Sequence, residues 1–304
     1  MYDASAMRRL LPLLLLCLAL AGCGASSSAT SGGRLRVVAA ENFWGSIAAQ
    51  LGGDRVDVTS LIHNPATDPH DYEPTPSDAR TMATARLAIV NGIGYDPWAP
   101  KLLAANPVSG RRVLNVGDLV GVKAGGNPHR WYSPANVQQV TNAITADYKR
   151  LDPGHAAYFD SQRARFETKG LAQYKRLIAS IRTRFAGVAV GASESIFEPL
   201  AKSLGLRLLT PESLLNAVSE GTDPTASAKS EADRQITGRQ IKVWVYNSQN
   251  ATPDVRRLTS QAKAEGIPVT TITETLTPAS ASFQAWQSRQ LRALAQALQK
   301  GTGR

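Results

Sequence analysis

Short apolar runs rich in Val, Ile and Leu alternate with longer amphipathic ones along most of this chain. LRVVAAE (35–41), VDVTSLI (56–62), RLAIVNG (86–92) and RRVLNVG (111–117) read as strands. Between them SIAAQLGG (46–53), PSDARTMATA (76–85) and PWAPKLLAA (97–105) read as helices, the first closed by glycine and the second opened by a Ser cap. After residue 185 the pattern restarts. GVAVGAS (187–193), LRLLT (206–210), IKVWVYN (241–247) and IPVTTI (267–272) are the strands, and helices are predicted over 196–205, 224–237, 254–266 and 282–300. Strands alternating with helices imply right-handed crossovers and mostly parallel sheets.

A different segment separates the two series. PANVQQVTNAITADYKRLD (134–152) reads as helix, and residues 156–185 then run without a proline. Tyr158, Phe159, Phe166, Leu171, Tyr174, Leu177, Ile178 and Ile181 fall mostly at helical spacing there. The fold class expected is therefore α/β: two lobes, each with a roughly four-stranded, mostly parallel sheet flanked by helices, bridged by one long rigid helix. The expected boundaries are 34–154 for the N-terminal lobe, 155–185 for the linking helix and 186–304 for the C-terminal lobe. A stiff connector implies a cleft that opens only modestly.

The first residues follow other rules. Arg8 and Arg9 precede the apolar run LLPLLLLCLALAG, which is too short to span a bilayer and reads as a secretory signal. It ends in LAGC (20–23), which resembles a bacterial lipobox, so residues 1–22 are expected to be removed and Cys23 to be diacylated. GASSSATSGG then gives a flexible tether over 23–33. Two acyl chains anchor stably where one does not, which places the protein at the outer face of a membrane. The two cysteines are Cys17 and Cys23, so the mature fold has no disulfide, no thiolate metal ligand and no cysteine nucleophile.

The formal charge of +10 raises nucleic acid as a partner, but the basic residues are scattered and lack interleaved stacking aromatics. Together with the export signal this excludes nucleic acid. An Arg-rich surface near anionic lipid is the reading preferred.

Candidate chemistry centres on four histidines. His155, in LDPGHAAY, has a capping or surface role by default, and His63 closes a strand. His70 and His129 share a pattern: DPHDYEP and NPHRWYSP are both Asx-Pro-His in loops following strands, 59 residues apart (129 − 70). Ligands of open α/β sheets sit at the carboxyl ends of strands, and proline restricts the loop and pre-places the imidazole.

Carried by DPHDYEPTPSD, NGIGYDPWAPKLL, NPHRWYSPANV, VGASESIFEPLAKSLGL and GIPVTTITETL, the chain resembles the metal-binding, substrate-binding lipoproteins of bacterial ABC importers for zinc and manganese, including ZnuA-like zinc-uptake proteins and manganese-binding adhesins. That family has two four-stranded lobes bridged by one long helix and holds its metal between them with two ligands per lobe. The resemblance implies His70 and His129 from the N-terminal lobe, Glu194 of SESIF as the third ligand, and Glu274 of TITETL where the family usually has Asp. It also implies a permease and a cytoplasmic ATPase as partners, and a monomer.

Two imidazoles and two carboxylates make a neutral site with one divalent cation, suited to Zn2+, Mn2+ or Fe2+. A glutamate third ligand and the lack of a His-rich acidic loop lean towards manganese or a broad-specificity site. Three alternatives compete. An organic-solute-binding protein would use FW (43–44) and RWY (130–132) as cleft aromatics, a zinc hydrolase would use His70 and Glu73 as an H-x-x-E pair, and an adhesin would hold metal incidentally. Asp223 is the alternative to Glu274 as fourth ligand.

Overall fold

The computed structural model describes residues 33–67, 69 and 72–304. The expected signal, the lipobox Cys23, most of the tether and His70 lie outside the described residues. Arg34–Arg304 forms one compact unit. Among the described residues no helix is long and apolar enough to cross a membrane.

Among the described residues eight strands make two sheets. β1 (Leu35–Glu41), β2 (Val56–Ile62), β3 (Leu87–Val90) and β4 (Arg112–Asn115) lie in the order β2-β1-β3-β4. β5 (Ala189–Ala192), β6 (Arg207–Leu208), β7 (Trp244–Asn247) and β8 (Val269–Ile272) repeat it as β6-β5-β7-β8. Every pairing is parallel, with Leu35 opposite Val56, Leu87 opposite Arg112 and Trp244 opposite Val269. β3 is buried along its whole length, as a parallel strand covered on both faces must be. The strand order reverses between β1 and β3, and again between β5 and β7, and such switch points open a crevice at the strands' carboxyl ends.

The helices of the first half are α1 (Asn42–Gly52), α2 (Pro76–Met82), α3 (Ala99–Ala105), α4 (Val116–Val120) and α5 (Pro134–Leu151). α1 begins earlier than the sequence suggests, so Phe43 and Trp44 lie in a helix and are fully buried. Trp131 and Tyr132, in a one-turn 3-10 helix, are fully buried too. The aromatic pairs read as cleft surface are core, with Phe43 stacked on Trp131 at 3.9 Å between ring centres. The cap of α2 is Thr75 rather than Ser77. Pro76 takes the first helical position, and Thr75 and Asp78 close a capping box.

The linking segment is helical but not one uniform α-helix. α6 (Ala156–Arg165) passes through a π turn at Phe166–Gly170 into α7 (Ala172–Phe185). One residue is absorbed at Gly170, and Phe166 stays buried across the turn. The second half adds α8 (Glu198–Leu204), α9 (Glu212–Ser219), α10 (Ala226–Thr237), α11 (Pro253–Ala264) and α12 (Phe283–Thr302), which packs along α7.

One core runs through both halves. It joins Trp44, Trp131 and Tyr148 to Phe197, Phe283 and Trp286 without a break, while two smaller clusters sit under α2–α3 and under α10–α11. Polar straps cross the same boundary: Asn42 Oδ1 accepts from the Leu276 amide (3.2 Å), and Ser46 Oγ accepts from the Phe283 amide (2.9 Å).

Candidate metal centre

The loops leaving the carboxyl ends of both sheets bring three of the predicted residues together. His129, Glu194 and Glu274 each offer a ligand atom within 4.8 Å of the others. All three are buried: His129 is 0 %, Glu194 1 % and Glu274 8 % exposed. His70 lies outside the described residues. The residues beside it are tied down, since Trp98 Nε1 donates to Pro69 O (3.1 Å) and Gln249 Nε2 donates to Pro65 O (2.5 Å).

His129 is positioned by Asn127, the Asx of its own motif. Asn127 Oδ1 accepts from the His129 backbone amide and from His129 Nδ1, both at 3.0 Å. A proton held on Nδ1 leaves the lone pair on Nε2, the tautomer a metal ion needs. The other end of the same amide crosses to the second lobe, donating to Ser195 O (2.7 Å) and Glu198 Oε2 (2.9 Å). Tyr95 and Trp131 set their rings edge-on to the imidazole, 5.9 and 5.2 Å between centres.

The two carboxylates are held by amides and a phenol. Asn247, at the end of β7, donates to Glu194 Oε1 (3.1 Å) and to Glu274 Oε1 (2.9 Å). Asn250 Nδ2 donates to Glu194 Oε2 (2.8 Å), and Tyr95 Oη donates across the lobes to Glu274 Oε2 (2.8 Å). All four oxygens thus accept a hydrogen bond, which offsets the cost of burying two like charges side by side. Gln249 fixes the Glu274 backbone, its Oε1 accepting from the amides of Glu274 (2.6 Å) and Thr275 (3.0 Å). Glutamate where the resemblance leads one to expect aspartate is accommodated without displacing the carboxylate from the cluster.

Tyr95 sits on a strained turn. Gly92, Ile93 and Gly94 have φ of 70°, 61° and 83°. A β-branched residue at positive φ costs on the order of 1–3 kcal/mol and persists only where surroundings impose it. Asp96 imposes it here, its carboxylate accepting from the amides of Asn91 and Gly92, both at 2.8 Å.

Beside that turn lies a second acid pair that the sequence reading did not find. Glu41 is fully buried at the end of β1, and no donor among the described residues reaches its oxygens. Burial pushes its carboxyl well up, and neighbouring Asp96 pushes it further; Asp96 itself is raised by burial to about 6. Both carboxyls are therefore held above the ordinary carboxylate range, Glu41 the further of the two. The pair underlies the histidine loop through Asn91, whose Nδ2 donates to Pro128 O (3.0 Å) and whose Oδ1 accepts from Trp44 Nε1 (3.1 Å).

The remaining candidates stand apart. His63 is exposed and turns Nδ1 to carbonyls of its own strand, and His155 pairs with Asp152 at 2.8 Å. Glu73 and Asp223 are exposed, and neither belongs to the cluster. Tyr95, Asn127, Asn247, Asn250 and Gln249 were missed as functional residues. The signal for Asn127 was present, since it is the first residue of NPH.

A family described as zinc-uptake complex component A, periplasmic, matches residues 37–297. The manganese-binding lipoprotein MntA of Halalkalibacterium halodurans is 29% identical over 154 residues, 48% of this chain and 50% of that protein, so the chain spans about half its length. The metal ABC transporter substrate-binding lipoprotein FimA of Streptococcus parasanguinis is 25% identical over 271 residues, 82% and 83% of the two chains. Among solved structures, the Mn-bound periplasmic metal-binding protein of Candidatus Liberibacter asiaticus shares the fold, with a TM-score of 0.72 at 21% identity over 87% of this chain and all of the other.

Proposed function

The chain belongs to the zinc-uptake complex component A family of periplasmic proteins, and from that premise we propose that it captures a divalent transition-metal ion between its lobes and delivers it to an ABC permease for import. The observation that carries the reading is the buried convergence of His129, Glu194 and Glu274 at the carboxyl ends of two parallel sheets. His70 completes the set as fourth ligand. Two neutral imidazoles and two carboxylates balance the charge of Mn2+ or Zn2+ as cargo, and Fe2+ suits the same donors. Asn127, Asn247, Asn250 and Tyr95 orient the donors, a role whose loss typically lowers affinity ten- to a hundredfold.

Family membership makes the protein a solute carrier rather than an enzyme, which removes the hydrolase reading. The organic-solute reading loses its cleft aromatics to the core. Cys23 supplies the lipid anchor that keeps the loaded protein, a monomer, beside the permease and its ATPase. The domain limits that go with this are 34–154 and 186–304, with 155–185 linking them.

Metal should raise the melting temperature by mass action, with about one ion per chain. His70→Ala and His129→Ala are each expected to abolish most of that shift, and Glu274→Ala to reduce it. A wild-type shift in both histidine variants would place the site elsewhere. Elemental analysis of protein from its native host identifies the ion loaded where metals compete.

A further inference from the structure

The linking segment carries seven basic residues between 156 and 185 and only two acids. Both acids are engaged: Asp160 with Lys149 (2.7 Å), and Glu167 with Gln138 (2.6 Å) and Arg163 (3.8 Å). Arg165, Lys169, Lys175, Arg176, Arg182 and Arg184 are all exposed, and none makes an ion pair among the described residues. At 1.5 Å per residue they form a basic belt within a helical segment about 45 Å long.

The belt is not purely polar. Between α5 and α7 lies a groove of about 190 Å³, lined by Val137, Leu171, Tyr174 and Ile178 and flanked by Lys175 and Arg182. Tyr174 is 2 % exposed, and its Oη has no hydrogen-bond partner among the described residues. A row of exposed cations with no acid opposite it is the complement of an anionic lipid surface. The chain also enters the fold beside the belt's start. Leu35 pairs with Val56, and just before Val56 the Asp54 amide donates to Tyr158 Oη at 3.0 Å. An anchor preceding Arg34 would therefore hold this end of the helix close to lipid.

We infer that the solvent face of α6–α7 docks on an anionic phospholipid surface, so that the protein lies along the membrane and does not stand away from it. The proposal rests on the anchored reading for its setting alone, because the docking itself is measured without the anchor. Residues 34–304 have their own core, so the mature chain carrying Cys23→Ser, which cannot be acylated, serves as the probe.

Binding to phosphatidylglycerol-containing vesicles should be measurable by co-sedimentation, absent on pure phosphatidylcholine and abolished by high salt. Each basic residue near such a surface contributes roughly fivefold in affinity. The triple variant Lys169→Glu, Lys175→Glu, Arg176→Glu should lose at least tenfold. A control with the same charge change on the helices that cover the two smaller clusters, Arg80→Glu, Lys101→Glu, Lys263→Glu, should stay within about twofold of wild type. Equal losses in the two triples would reduce the effect to net charge and overturn the proposal, as would wild-type binding by the belt variant. If the charge reversals prevent folding, the same three positions changed to Gln give the reading. An unchanged metal-dependent melting shift shows that any loss is confined to the surface, and failure of the metal reading would leave the vesicle result intact.

Discussion

Glu41 and Asp96 are two buried carboxyls side by side, and their raised pKa values set a pH dependence separate from the metal cluster. Both carboxyl pKa values are raised in the folded state, by burial first. The folded protein therefore binds protons at this pair more tightly than the unfolded chain does. The associated stability is full below the ordinary carboxylate range and is lost as pH rises through about 6 and above. With metal chelated, the wild-type melting temperature should fall between pH 5 and pH 8. Glu41→Gln removes the Glu41 titration and leaves that of Asp96, so its melting temperature should change less over that interval. A fall as steep as wild type would show that the slope arises elsewhere. Tyr132 stays protonated throughout, since burial holds its phenol far above the ordinary value while Oη donates to Thr273 O at 2.7 Å.

Among the elements, the short turn after β3 has the strictest sequence requirement. Gly92 sits at φ 70°, and a Cβ there would lie 2.3 Å from Asn115 Oδ1, the atom that caps α4. Gly92→Ala should cost at least about 1–2 kcal/mol from the left-handed backbone alone, read as a lower midpoint in urea. It should also weaken metal binding by displacing Tyr95 from Glu274. The strands and long helices were legible because their periodicities extend over four or more residues. VGDLV, five residues, is too short for a periodic signal to separate it from loop, and ESLLNAVS (212–219) was also not read as helix. Phe43, Trp44, Trp131 and Tyr132 were misread for a different reason: an aromatic next to a loop looks the same in sequence whether it faces solvent or a core that spans two lobes. His129, Glu194 and Glu274 were found through motif resemblance. Asn247 was not, because bonding two carboxylates 53 and 27 residues away leaves no local pattern.

For the whole molecule, the common core decides how the lobes behave. Trp131, Phe197 and Trp286 belong to one buried cluster, and Tyr95, Asn127 and Gln249 strap the lobes at the mouth of the site. A helix alone, interrupted by a π turn, would leave the lobes free to melt apart. With the core continuous, thermal unfolding should give one calorimetric transition whose van't Hoff and calorimetric enthalpies agree. Two resolved transitions would mean that the shared core contributes little.

The same continuity bears on what a calorimeter registers when the ion arrives. Burial of apolar surface gives binding a negative heat-capacity change, and a hinge closing over its ligand would bury a great deal. Here the surface that such a closure would cover is already packed around Phe43 and Trp131. The heat of metal uptake should therefore vary little with temperature beyond the ion's own dehydration and the protons it displaces.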